Sequence, residues 1–529
     1  MTTSGPLLAA NGIDATTGKY LLGPMDPRDV VRVATSTPQD KASASALAAR
    51  HRRRTEAVYA PKHGVDPSNL AHTGWGIVVA STADPRVRTA LSPLVEHRRR
   101  QAAAVTEHRF REFAGADGYR SGESKQDFLR RHGSGPGPVD PDVVPYYLLL
   151  VGGPDEIPFE VQYQLDVQHA VGRIAFDDVE AYARYAQNVV GAETSAPTPG
   201  PARLAFFAAR NEGDPATGLS AEYLVDPLAA ELAGDGSWHV DSVVGSDARK
   251  EALRALLQRR RDVLFTATHG IGFPAGHAEQ YGVQGGLVCQ DWPGPGHGPV
   301  APQHWFGASD VPDSDLTGLV AFLFACFGAG TPEFDDFDRS SDSPRRLAPR
   351  PFVAALPQAL LGRDGGALAV VGHIDRAWGY SFVWPGVGGQ TEVYRSTLAE
   401  LGAGRPIGSA LEYVGDRYAE LATDLGLALE EIRLGRRADP EMIAGLWTAC
   451  TDARGFVLLG DPAVRLTRAN GEDHPPHGQR EGVEDSPAVG GITTARSRLL
   501  TSVELDFTAD THVSTTHTPG SGHDRGGST

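Results

Sequence analysis

Several short runs of this chain are apolar almost throughout, and that feature restricts its fold more than any other. A strand with water on one face alternates apolar and polar residues; a strand without alternation is covered on both faces. The runs are Gly76–Ser81, Tyr146–Val151, Leu204–Ala209, Val263–Thr268, Leu319–Phe324, Ala367–Val371 and Phe456–Leu459. Trp238–Val244 reads as a further strand. Helical patterns lie between them. Val87, Leu91, Leu94 and Val95 mark a helix over Pro85–Arg100, and Leu253, Leu256 and Leu257 mark another that Asp247 caps. Strand and helix in alternation predict an α/β fold: a mostly parallel sheet with helices on both faces. A Pro- and Thr-rich break, Ser195–Pro201, divides it. A smaller α/β subdomain is expected over 71–195 and a larger domain over 200–470. Residues 1–70 form a partly irregular extension before them.

In parallel sheets, ligands bind where strands hand over to loops at their carboxyl ends. Two such ends carry reactive side chains. Val263–Thr268 ends in His269–Gly270, and Leu319–Phe324 ends in Ala325–Cys326–Phe327–Gly328. A cysteine closing an apolar strand is commonly a small buried hydrophobe, and a lone His-Gly pair carries little. A thiol and an imidazole at two separate strand ends are what nucleophilic catalysis by cysteine needs. Gly270, lacking a Cβ, would let a substrate carbonyl approach the backbone. A third strand ends in Gly372–His373–Ile374–Asp375–Arg376–Ala377–Trp378, so its loop should border the same cleft. The turn after Cys326 adds Glu333, Asp335 and Asp336.

His-Gly after one strand and Ala-Cys-x-Gly after the next resembles the caspase-like cysteine peptidases. Caspases proper have Gln where this chain has Phe324. The gingipain-type branch is closer, through Val171–Gly172–Arg173–Ile174, the Tyr-rich helix Glu180–Val190, and Leu459–Gly460–Asp461–Pro462. The resemblance spans roughly residues 70 to 470. It implies a caspase-like fold and a first subdomain without catalytic residues. It also implies a Cys326/His269 dyad with the oxyanion held by the N–H groups of Gly270 and Cys326. Relatives of this type favour Arg or Lys before the cut, using an acidic pocket. Asp375 is the first candidate for that partner, with Trp378, Glu333 and Asp335 beside it, although Arg376 could reverse the sign of the site. No third catalytic residue is legible, and no cofactor is required. The rival readings are a caspase-like scaffold with little turnover, and a hydrolase or transferase acting on a non-peptide acyl group.

The chain of 529 residues has 66 acidic against 49 basic residues, a net charge of −17, which argues against nucleic acid as its main partner. A protein or peptide substrate is expected instead. Three cysteines are too few for a disulfide framework and suit a reducing compartment. No signal pattern or long apolar run is present, so a cytoplasmic protein without a membrane span is expected. This departs from the secreted gingipains. His277, His297 and His304 lack a metal-ligand spacing, and Cys289 reads as structural. The basic segment His51–Arg54 reads as a solvated helix face, and 471–529 as a disordered tail.

Overall fold

The computed structural model describes residues 10–22, 25–36, 61–62, 64–234, 236–337, 344–384, 386–437 and 439–468. The segment His51–Arg54 and the tail from 471 lie outside them. The apolar runs form strands of one ten-stranded sheet. In chain order its first members are β2 (Trp75–Val79), β3 (Phe110–Phe113), β4 (Tyr147–Val151) and β5 (Ala170–Ile174). Then come β6 (Ala202–Ala208), β7 (Trp238–Val244), β8 (Val263–Ala267), β12 (Val320–Phe324), β15 (Ala369–His373) and β19 (Phe456–Gly460). Every residue of β2, β4, β5, β8, β12 and β15 is buried, as their lack of alternation requires.

The spatial order is β3-β2-β4-β5-β19-β15-β12-β8-β6-β7. Neighbours run parallel except at the centre, where β15 and β19 are antiparallel. The sheet is therefore two five-stranded parallel halves joined back to back. Each half has the doubly wound order 2-1-3-4-5, and the first takes its fifth strand, β19, from the far end of the chain. One hydrophobic core runs through both. Asp461, just past β19, accepts from Trp75 Nε1 at 2.9 Å and from Arg98 Nε at 2.7 Å. The last strand is thus locked to the first half.

A second sheet of five strands, in the order β11-β10-β9-β1-β16, is built from the segments beyond the carboxyl ends of β8 and β15, with β1 from early in the chain inserted between them. Its members are β1 (Ala10–Asp14), β9 (His269–Gly272), β10 (Leu287–Val288), β11 (Trp305–Phe306) and β16 (Ala377–Trp378). A helical layer completes the molecule: α1 (Pro27–Ser36) packs with α2 (Glu412–Arg433) and α3 (Pro440–Gly455) around Trp378 and Trp447. No helix among the described residues is long and apolar enough to cross a membrane. Three local expectations shift. Asp247 does not cap the helix after it: it ends a short 3-10 turn, and the helix Lys250–Leu257 starts after Arg249 without a side-chain cap. The helix expected over Pro85–Arg100 is two, Pro85–Ala90 and Ser92–Ala102, because Pro93 has no N–H to continue the first. The strand expected at 367–371 lies two residues later, so His373 ends it.

Candidate active site

The second half of the sheet reverses its strand order between β6 and β8, the place where such folds open a crevice at their carboxyl ends. The loops after β6, β8, β12 and β15 meet there. β12 is buried throughout, so its chain must turn sharply to leave the core. Phe327, just after Cys326, takes up φ 59°, in the left-handed region that costs a non-glycine residue about 1 kcal/mol or more. Its N–H donates to the Asp375 carbonyl at 2.8 Å, which holds the turn against the β15 loop. Cys326 Sγ accepts from the Ala377 N–H at 3.2 Å. Burial nonetheless pushes the Cys326 thiol well up; the Ala377 N–H and the Arg376 charge counter it only in part. Gly270 lies so close above this turn that a Cβ there would sit 1.8 Å from the Cys326 carbonyl oxygen. Only glycine fits.

His269 begins β9, one residue past β8, and is completely buried. Its Nε2 lies 2.7 Å from Asp214 Oδ2. Its Nδ1 is a buried atom without a hydrogen-bond partner, a condition that native structures rarely tolerate without a use for the group. Asp214 sits in the loop after β6, where it caps the helix Pro215–Ser220 and accepts from Thr217 Oγ1 at 2.6 Å and Tyr20 Oη at 2.5 Å. Burial alone would raise its carboxyl, but the His269 charge and the hydrogen bonds from His269, Thr217 and Tyr20 hold it well below the usual range. The rings of Tyr20 and Trp292 stand edge-on to the imidazole, each 5.8 Å away. Asp214 and Tyr20 were not legible as site residues. The one local signal for Asp214 is an Asp-Pro pair opening a helix after a strand.

The other expected site residues are placed as follows. Asp335 is buried and holds Arg376 with two hydrogen bonds of 2.8 and 2.7 Å. Glu333 pairs with Arg346 at the surface. Trp378 is buried against Phe337, 4.8 Å between ring centroids, in the helical layer. Asp375 is buried next to Arg376; its Oδ1 accepts from the Arg376 N–H at 2.8 Å, while its Oδ2 has no partner. Burial, only partly countered by Arg376, raises the Asp375 carboxyl to about 7. Cys289 is buried in β10's continuation with its thiol pushed well up by burial. Among the described residues, no three His, Cys, Asp or Glu side chains gather in a way that could hold a metal ion.

The chain is similar in fold to gingipain R. That Arg-specific cysteine proteinase superposes with a TM-score of 0.43 and 14% identity, over 77% of this chain and 80% of its own. A structure described as a protease gives 0.42 and 14%, over 77% and 81%. The complex of the Porphyromonas gingivalis RgpB pro- and mature domains gives 0.42 and 12%, over 75% and 80%. No family model and no curated protein matches the sequence. The chemistry of this chain is read from its own residues.

Proposed function

We propose that this chain is a cysteine endopeptidase in which Cys326 is the nucleophile, His269 the general base and Asp214 the group that orients the imidazole. The observation that carries this is the pair of ring nitrogens of His269: Nε2 is engaged by Asp214, and Nδ1 is left unpartnered on the residue before Gly270, which packs directly on the Cys326 turn. A carboxylate on one nitrogen fixes the tautomer and makes the other the better base.

The thiol proton passes to His269 Nδ1 as Cys326 Sγ bonds to the substrate carbonyl carbon. The oxyanion is held by the N–H groups of Gly270 and Cys326. The C–N bond then breaks as the imidazolium returns its proton to the leaving amine, giving a thioacyl-enzyme. Water, deprotonated by the same imidazole, releases the acid and restores the thiol. A basic residue before the cut remains the preferred specificity. Asp375 is its candidate partner because Oδ2 is an unused acceptor beside the nucleophile's turn.

The complete burial of Cys326 and His269 favours one rival, a scaffold with little turnover. Fluorogenic peptides ending in Arg, Lys, Asp and Leu separate the two. Cleavage that disappears in both Cys326→Ala and His269→Ala, and persists in Cys289→Ala and Cys450→Ala, supports the peptidase. Cleavage by the Cys326→Ala protein contradicts it. Fastest cleavage after Asp, or Arg cleavage untouched by Asp375→Ala, would refute the pocket alone.

A further inference from the structure

Neither Cys326 nor His269 exposes any surface, so no substrate reaches the pair in this conformation. What covers them is a segment of the same chain. β1 runs between β9 and β16, parallel to the first (Gly12 opposite Gly270, Ile13 opposite Ile271, Asp14 opposite Gly272) and antiparallel to the second (Asn11 opposite Ala377, Ala10 opposite Trp378). Both flanking strands belong to the candidate site. One carries His269 and Gly270; the other carries Ala377, whose N–H donates to Sγ.

β1 also takes the edge at which an oxyanion donor would work. Ile271 gives its N–H to Gly286, on the β10 side. Groups on successive strand residues point to opposite edges, so the Gly270 N–H points to the β1 side. The link from the Ala15 N–H to the Gly272 carbonyl, 2.8 Å, lies on that edge as well. β1 then doubles back through a turn that Asp14 caps, and Tyr20 bridges to Ile13. The returning limb places the Tyr20 hydroxyl on Asp214 and the Leu21 side chain against Gly12 and Gly272. Gly12 lies directly over the thiol: a Cβ there would stand 2.8 Å from Sγ. The segment therefore meets the nucleophile, the oxyanion edge and the carboxylate behind the imidazole together.

We propose that residues 10–22 are a built-in occupant of the active-site groove, which holds the enzyme latent, and that the groove takes an extended peptide added as a strand once this segment leaves. The same backbone edges that bind β1 would bind substrate, so displacement and substrate binding are one exchange of main-chain hydrogen bonds. This rests on Cys326 being the nucleophile, but its test does not require turnover.

The test is the rate of Cys326 alkylation by iodoacetamide in the full chain, mapped by mass spectrometry, with the buried Cys289 and Cys450 as reporters of intact packing. Gly12→Val puts a side chain where Sγ and Leu21 leave no room, and Tyr20→Ala removes the tie to Asp214. In either variant Cys326 alone should label faster by about tenfold or more, since labelling follows the open fraction. Cys326 labelling that stays at the wild-type rate in both variants, or that rises only together with Cys289 and Cys450 in both, overturns the proposal. If Cys326 is unmasked and yet no peptide is cut, the covering segment stands and the peptidase reading fails.

Discussion

At the scale of single residues, the site depends on how each buried charge is matched. Asp214 is satisfied three times over, by His269, Thr217 and Tyr20. Asp214→Asn keeps the size of the side chain but loses the charge that holds the imidazole. Measured in a Gly12→Val background, it should lower kcat by roughly 10²- to 10⁴-fold, the range for loss of effective acid–base catalysis. An unchanged kcat would remove Asp214 from the site. Asp375 is the opposite case: its carboxyl is raised to about 7 by burial, with Arg376 countering in part. As pH rises from about 4 towards 7, the unfolded chain gives up this proton while the folded chain keeps it, so the folded state loses stability over that window. Asp375→Asn removes the penalty. Its gain in urea-unfolding free energy should be small near pH 4, grow through pH 7 and exceed about 1.4 kcal/mol, the equivalent of one pKa unit, at pH 8. A gain that is flat or falls with pH would contradict the buried, proton-holding carboxyl. Asp375 could be named from the sequence as a candidate beside the cleft, but Asp214 could not. Asp214 lies 55 residues before its partner, and its role depends on β6 being next to β8.

At the scale of elements, the apolar runs were legible because burial on both faces leaves a pattern in the residues themselves. The order of the strands was not, since every run looks alike. The extreme case is β19, the last strand, whose partners β5 and β15 come from opposite halves. Its place is fixed by Asp461, which takes Trp75 and the buried Arg98. Arg98 is also paired with Glu193 at the edge of the cluster, while Arg98 and Asp461 themselves are buried. Asp461→Ala should cost about 3–5 kcal/mol, the usual cost of stripping one partner from a buried ion pair. The remaining transition in urea should stay single, because both halves share one sheet. A loss under about 1 kcal/mol would show that this cluster does not hold the seam. β1 was illegible for another reason. Its five residues, Ala10–Asp14, are too short and too mixed for a periodicity, and Gly12 matters only for what lies beneath it.

At the scale of the whole molecule, the two halves share a strand order but not a chemistry. In the first half, the loop after β4 is Gly152–Gly153–Pro154, and Arg173 is spent on the carbonyls of Gly152 and Ile157 at 2.9 and 2.6 Å. The Val-Gly-Arg-Ile and Leu-Gly-Asp-Pro stretches that carry the gingipain-type resemblance are thus structural here, holding the first half and its borrowed strand together. The second half supplies the Cys, His and Asp at its reversal point, and its second sheet covers them. Fold class and the Cys326/His269 candidates could be read from strand ends; the proposed covering segment and the candidate third residue, Asp214, required the assembled sheet. The most direct measurement is covalent capture: a peptidyl acyloxymethyl ketone is incubated with the full-length Gly12→Val chain, and the adduct is mapped by mass spectrometry. The account predicts a thioether at Cys326 that is lost in the His269→Ala chain. An adduct at Cys289 or Cys450 instead, or one at Cys326 that forms equally fast without His269, would contradict it.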